Sequence, residues 1–141
     1  EKHSAEIKKE DVKKIKEQDY SVLLNYNNKV LNEAYYVFKS QNFKPVVIVD
    51  YFREAYKHNF NNIRITFDKE LHTGGHNMDL FNKNIFTSPI VPKGRLILEI
   101  KYNHFLPDYI KGLLTLKSFE KCAISKYVLC RMGFANRNDI E

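Results

Sequence analysis

Residues 63–68 read IRITFD, a short run in which apolar and polar side chains alternate. In a β-strand, successive side chains point to opposite faces of the sheet. The three apolar residues therefore share one face, and Arg64, Thr66 and Asp68 share the other. The pattern predicts a strand with one face toward an apolar core and one charged face.

Two further stretches repeat this arrangement. Residues 46–53 read VVIVDYFR, and residues 95–102 read RLILEIKY. The alternation places polar pairs on one face of each predicted strand: Tyr51 with Arg53, and Glu99 with Lys101. A sheet with one apolar face and one face of arginine, lysine and carboxylates is suited to binding a polyanion and a metal ion.

The order of predicted elements indicates an α+β fold. Helices are predicted at residues 9–17, 28–40, 106–116 and 119–132, and strands at 46–56, 62–68 and 95–102, with a short strand within 80–87. Gly133 is predicted to stop the last helix. The short polar connection 57–61 favours a hairpin, so we expect one domain over residues 1–141, with an antiparallel β-sheet and helices on its apolar side.

The composition bounds the class of protein. The chain has 141 residues, of which 43% are hydrophobic, enough for one folded domain and too many for a disordered chain. A formal net charge of +6 favours anionic partners. No apolar run approaches the roughly 20 residues of a membrane span. Cys122 and Cys130, predicted in one helix, are too far apart to bridge, which favours buried thiols in a reducing compartment.

Three cations are the first candidates for binding chemistry. Phosphate oxygens need several donors at once, and Arg53, Arg64 and Lys101 could supply them from neighbouring strands. The alternative is a solvent-exposed sheet face on which these charges are solvated and bind no ligand. Glu99 could bind Mg²⁺ or Mn²⁺ through oxygen, or it could form an ion pair with a neighbouring cation. Lys126, in the last predicted helix, is expected to face solvent.

Two other residues of the predicted strands leave alternatives open. Asp68 is a further candidate for metal binding, although its position favours a turn residue that closes its strand. Tyr51 could donate its hydroxyl to a phosphate, or it could serve only in packing. No serine or cysteine nucleophile arrangement is recognisable in the sequence.

Four segments together resemble one family: VVIVDYFREAY, NIRITFDKEL, LILEIKYN and ISKY. In this order and spacing they are similar to the vacuolar transporter chaperone (VTC) catalytic domain. That family of polyphosphate polymerases belongs to the triphosphate tunnel, or CYTH-like, class. The resemblance runs from about residue 1 to residue 131 and corresponds to the C-terminal half of the domain. It implies an antiparallel barrel whose lumen is lined with basic residues and whose outside is covered by helices.

The resemblance also implies roles for individual residues. Arg53, Arg64, Lys101 and Lys126 would be catalytic by holding phosphates, and Lys126 would then point inward rather than to solvent. Glu99 would hold the divalent metal, Mn²⁺ or Mg²⁺. The remaining phosphate-binding residues that it implies are Tyr51, Ser125 and Lys2.

The implied activity is transfer of the terminal phosphoryl group of ATP to a polyphosphate chain. The alternatives are a triphosphatase, in which water attacks instead, and a binding module for polyphosphate or a nucleotide without turnover. A nucleic-acid binder is a further hypothesis without a supporting motif, so nucleic acid is not expected as a partner. Half a barrel implies open sheet edges, completed by a homo-oligomer or by the N-terminal half. The expected location is cytoplasmic, without a membrane segment in this chain.

Overall fold

The structure, a computed structural model, describes residues 2–115 and 120–138. The chain divides into two compact units, Glu1–Val46 and Val47–Glu141. A single domain over residues 1–141 stays a prediction. The predicted end of one helix at 116 and start of the next at 119 lie outside the described residues.

Within residues 2–46, the regular elements of the first unit are all helices, and polar side chains cap two of them. Its elements are α1 (Lys9–Lys16), a 3₁₀ helix (Tyr20–Tyr26) and α2 (Lys29–Ser40). Asp19 accepts a hydrogen bond from the Ser21 N–H at the start of the 3₁₀ helix, and Asn28 caps α2 through the Val30 N–H. The buried core of this unit consists of Tyr20, Val22, Leu23 and Leu31. Both helices predicted for this region, at residues 9–17 and 28–40, are confirmed.

The second unit is built on a four-stranded antiparallel sheet. Its strands are β1 (Val49–His58), β2 (Ile63–Thr73), β3 (Ser88–Pro89) and β4 (Leu96–Lys101). β2 is central: it pairs with β1 on one side and with β3 and β4 on the other. This confirms the α+β class and the predicted β1–β2 hairpin. Within the described residues the sheet is open and does not close into a barrel, because β1 and β4 each pair with β2 alone.

The strand register lines up polar residues across the sheet. Directly opposite residues of an antiparallel pair point to the same face. Three rows result: Arg53–Asp68–Ile97, Ala55–Thr66–Glu99 and Lys57–Arg64–Lys101. We call the face that carries these rows the charged face and the other the apolar face.

Helices cover both faces of the sheet. α3 (Asp108–Leu113) lies on the apolar face, where Ile110 and Leu106 are buried against Ile63. α4 (Lys126–Asn138) lies against the charged face, where the Cys130 thiol donates to the carbonyl of His72. The prediction that helices pack on the apolar side is therefore right for α3 and wrong for α4.

Other predicted boundaries in the second unit are also wrong. Residues 80–87 form turns and irregular structure, and the short strand β3 follows them. The last helix begins at Lys126, so Cys122 lies before it and is exposed, whereas Cys130 is buried. α4 also continues past Gly133 to Asn138, so this glycine does not stop the helix; it lies where Ile90 approaches the helix closely.

Candidate anion-binding site

A buried carboxylate organises the charged face. The side chain of Asp68 is 0% exposed and accepts two hydrogen bonds from Arg53, 2.6 Å from Nε and 2.7 Å from Nη2. The Nζ atom of Lys126 lies 2.6 Å from the second carboxylate oxygen. β1, β2 and α4 thus each contribute one residue. The prediction that Asp68 is a turn residue is wrong, because β2 extends to Thr73 and places this carboxylate inside the strand.

Electrostatics keep this cluster charged. The hydrogen bonds from Arg53, followed by the contact with Lys126, lower the pKa of Asp68 against the opposing effect of burial. The same carboxylate raises the pKa of Arg53 above its ordinary value. Asp68 therefore stays ionised at neutral pH and holds two cations in fixed positions.

An aromatic ring provides a second support for both cations. The Cζ atom of Arg53 lies 5.3 Å from the centroid of the Tyr51 ring, and the Nζ atom of Lys126 lies 5.2 Å from it. Both distances are within the range of cation–π attraction. The contact gives Tyr51 a packing role, and donation of its hydroxyl to a phosphate stays a prediction.

Glu99 is the second carboxylate of the charged face, and it is more accessible. Its side chain is 39% exposed, 2.9 Å from Nζ of Lys101 and 4.0 Å from Nη2 of Arg53. The contact with Lys101 is the main reason that the pKa of Glu99 lies below its usual value. Glu99 is thus an ionised oxygen donor at the edge of the cation cluster.

The donor set fits a metal ion that is shared with a phosphate ligand. Within residues 2–115 and 120–138, no three His, Cys, Asp or Glu side chains are grouped to hold a metal by themselves. Asp68 is fully engaged by cations, which leaves Glu99 as the carboxylate within reach. Mg²⁺ is commonly held by one or two carboxylates together with substrate phosphates, and Glu99 suits that mode.

The structure brings most of the predicted site residues together. Those that share the charged face or contact it are Tyr51, Arg53, Arg64, Glu99, Lys101 and Lys126. Lys126 points inward, as the family resemblance implies and against the solvent-facing expectation. Ser125 is exposed, and its hydroxyl accepts from the Val128 N–H at the start of α4. Lys2 is exposed and belongs to the first unit, and its role stays a prediction.

Sequence reasoning misassigned one residue of this face and missed another. The alternation places Asp68 on the charged face and makes it a metal-binding candidate, but it does not predict the pairing of Asp68 with Arg53 and Lys126. Lys57 lies directly opposite Arg64 in the hairpin. The sequence pattern ends this strand at residue 56 and so puts Lys57 in the connection, whereas β1 continues to His58.

The second unit is thus an α+β fold whose open antiparallel sheet gathers cations around two carboxylates, a geometry that makes this face a candidate anion-binding site. The family model described as VTC domain matches residues 1–133, and the chain belongs to this family. Membership confirms the resemblance and connects the chain with polyphosphate-related function. Neither the curated proteins nor the solved structures contain a match. In the described part of the chain, every helix is too short or too polar to cross a membrane.

Proposed function

We propose that the charged face binds a linear phosphate chain and supplies the cations of a polyphosphate polymerase. One observation carries the proposal: Arg53 and Lys126 converge on the buried Asp68, with Glu99 4.0 Å from the Arg53 guanidinium. The two carboxylates hold cations in place without neutralising all of them. A phosphate chain would complete the charge balance.

The cations retain donors for such a ligand. Arginine has five N–H groups, and Asp68 uses Nε and Nη2 of Arg53. Both N–H groups on Nη1 are free of hydrogen bonds to any described residue. Lys126 and Lys101 each contact one carboxylate and keep ammonium hydrogens for phosphate oxygens. Arg64 is exposed on the same face and adds a further cation.

These donors suit phosphoryl transfer. In the proposed reaction, a terminal oxygen of polyphosphate attacks the γ-phosphorus of ATP. The bond from that phosphorus to the bridging oxygen breaks, and ADP leaves with the electron pair. Catalysis of this kind rests on positioning and on stabilising negative charge, which Arg53, Lys101 and Lys126 would provide. The family resemblance supports a tunnel in which the growing chain would lie.

Glu99 would hold the divalent cation, Mn²⁺ or Mg²⁺. Such an ion supplies positive charge that neutralises the transferred phosphoryl group. Lys101 would keep Glu99 ionised, and Arg53 would keep a donor beside it.

A binding module without turnover is the second candidate. It is favoured by one observation: both carboxylates of the charged face already contact cations, as expected of a site that only recognises anions. The two candidates make the same prediction for polyphosphate binding and opposite predictions for transfer from ATP.

The test compares Glu99→Gln with Glu54→Gln. Glu54 is an exposed, ion-paired carboxylate on the apolar face of the same sheet, so it is a matched control. We expect Glu99→Gln to lower metal-dependent chain extension from ATP by at least about 10²-fold, as for the loss of one electrostatic transition-state contact, and to retain polyphosphate binding. Glu54→Gln should retain both properties.

Each outcome distinguishes the candidates. Polyphosphate binding without transfer in the complete natural protein would replace the polymerase with the binding module. Failure of the unchanged protein to bind polyphosphate would overturn both. Equal activity of the two variants would remove Glu99 from the mechanism.

A further inference from the structure

Three cations stand side by side at one end of the charged face. Lys57 lies directly opposite Arg64, which lies directly opposite Lys101, and we call this set the Lys57 row. Like charges directly opposite each other destabilise a sheet. Within the described part of the chain, neither Lys57 nor Arg64 forms an ion pair, and only Lys101 has a carboxylate partner, Glu99. The row therefore has uncompensated positive charge from two strands.

A buried hydroxyl lies between this row and the Arg53–Asp68 pair. Thr66 occupies the middle row, between Ala55 and Glu99, and is 2% exposed. Its Oγ1 atom has no hydrogen-bond partner among the described residues. Buried polar atoms nearly always have a hydrogen-bond partner, so Thr66 is an unsatisfied polar group between the two cation groups.

The spacing of the two cation groups limits the ligand. Arg53 and Lys57 are four residues apart on β1, which corresponds to about 14 Å along an antiparallel strand. We propose that Lys57 adds a further phosphoryl-binding position beyond the contacts of Arg53, Lys101 and Lys126, so that the charged face prefers phosphate chains long enough to reach from Arg53 to Lys57 over a triphosphate. The inference rests on the proposed function for its ligand class, and it assigns Lys57 a role in chain-length selection.

The experiment compares two probes on three proteins. The probes are inorganic tripolyphosphate and a polyphosphate long enough to span both positions. The proteins are the unchanged chain, Lys57→Gln and Lys69→Gln. Lys69 is a partly exposed lysine on the apolar face of β2, and its variant matches the change in net charge. Dissociation constants are measured by calorimetry at several salt concentrations, with single-stranded RNA as a third polyanion.

We expect a selective loss in Lys57→Gln. Affinity for the long chain should fall by roughly 3- to 10-fold. The slope of log affinity against log salt concentration should become less steep by about one, as expected for the loss of one phosphate contact. Affinity for tripolyphosphate should stay unchanged, as should both affinities in Lys69→Gln.

Every other result overturns the inference. Equal losses for both probes would place Lys57 in a single site with Arg53, and no loss for either would remove Lys57 from binding. Tighter binding of RNA than of long polyphosphate would assign the row to a nucleic acid. If the unchanged chain binds neither phosphate probe, the proposed function itself fails, which is distinguishable from a failure confined to Lys57→Gln.

Discussion

Asp68 determines the geometry of the candidate site. A carboxylate in a position with no solvent exposure is stable only when it is paired and hydrogen-bonded. Its two oxygens fix the planar guanidinium of Arg53 and the ammonium of Lys126, which come from different elements. The same contacts that make the charge tolerable in the interior hold both cations in place before a ligand arrives. Asp68 is thus a positioning residue for the proposed phosphate contacts.

Asp68→Asn tests this role through stability. The substitution keeps the shape of the side chain and removes the charge that compensates two cations. We expect the free energy of unfolding in urea at pH 7 to fall by roughly 2–3 kcal/mol, below the full effect of breaking a buried pair because Arg53 retains some exposure. Asp50→Asn, at an exposed position of β1, is the control.

The effect of Asp68 should also depend on pH. Its folded-state pKa is depressed, so its stabilisation is complete above the ordinary value of 3.8 and is lost as the pH falls through the lower, folded value. The difference between the unchanged protein and Asp68→Asn should therefore shrink in acid. A difference that is constant between neutral and acidic pH would contradict this account.

Local patterns predicted the strands of the second unit better than its last helix. The alternation of apolar and polar residues was sufficient to predict β2 and β4, because a half-buried strand has a period of two that the sequence shows directly. For α4, the periodic run before Lys126 suggested an earlier start, and Gly133 suggested a stop. Both signals were misleading, because the surroundings of α4 are set by tertiary contacts that no local pattern contains. α4 lies over the charged face, and Ile90 approaches the helix at Gly133.

The approach of Ile90 to α4 gives a prediction for Gly133. A Cβ atom at this position would lie 2.6 Å from Cδ1 of Ile90. Alanine favours a helix over glycine by about 0.8–1.0 kcal/mol, but here that gain is opposed by the clash. We expect Gly133→Ala to give no gain in the unchanged background. In an Ile90→Val background, which lacks Cδ1, it should stabilise by roughly 0.5–1 kcal/mol.

A double-mutant cycle from thermal and urea unfolding measures this coupling. The expected sign is a more favourable effect of Gly133→Ala when Ile90 is shortened. Equal effects of Gly133→Ala in the two backgrounds would show that the Ile90 contact is not the reason that glycine occupies this position.

Across the whole second unit, the two faces of the sheet differ in their charge compensation. On the apolar face, Lys69 is paired with Glu54 at 2.6 Å. On the charged face, Lys57 and Arg64 have no carboxylate partner among the described residues. The sequence predicted the sign of this face from alternation, but not its geometry, because strand register and the α4 contact decide which charges are adjacent. An anionic ligand would reduce the repulsion among the remaining unpaired cations. Without a ligand, this repulsion lowers the stability of the fold.

Lys57→Glu should therefore raise stability and weaken polyphosphate binding. The substitution converts a like-charged cross-strand pair with Arg64 into an oppositely charged one, a change of roughly 0.2–1 kcal/mol in favour of folding. Lys69→Glu should lower stability, because it breaks the ion pair with Glu54, and it should leave binding unchanged. Urea unfolding and calorimetry on both variants measure the four effects.

Both stability changes should shrink as salt rises toward about 1 M, where screening acts within about 3 Å. If Lys57→Glu changed neither quantity at low salt, the cations of the Lys57 row would be solvated independently, and the charge excess would not belong to a binding site.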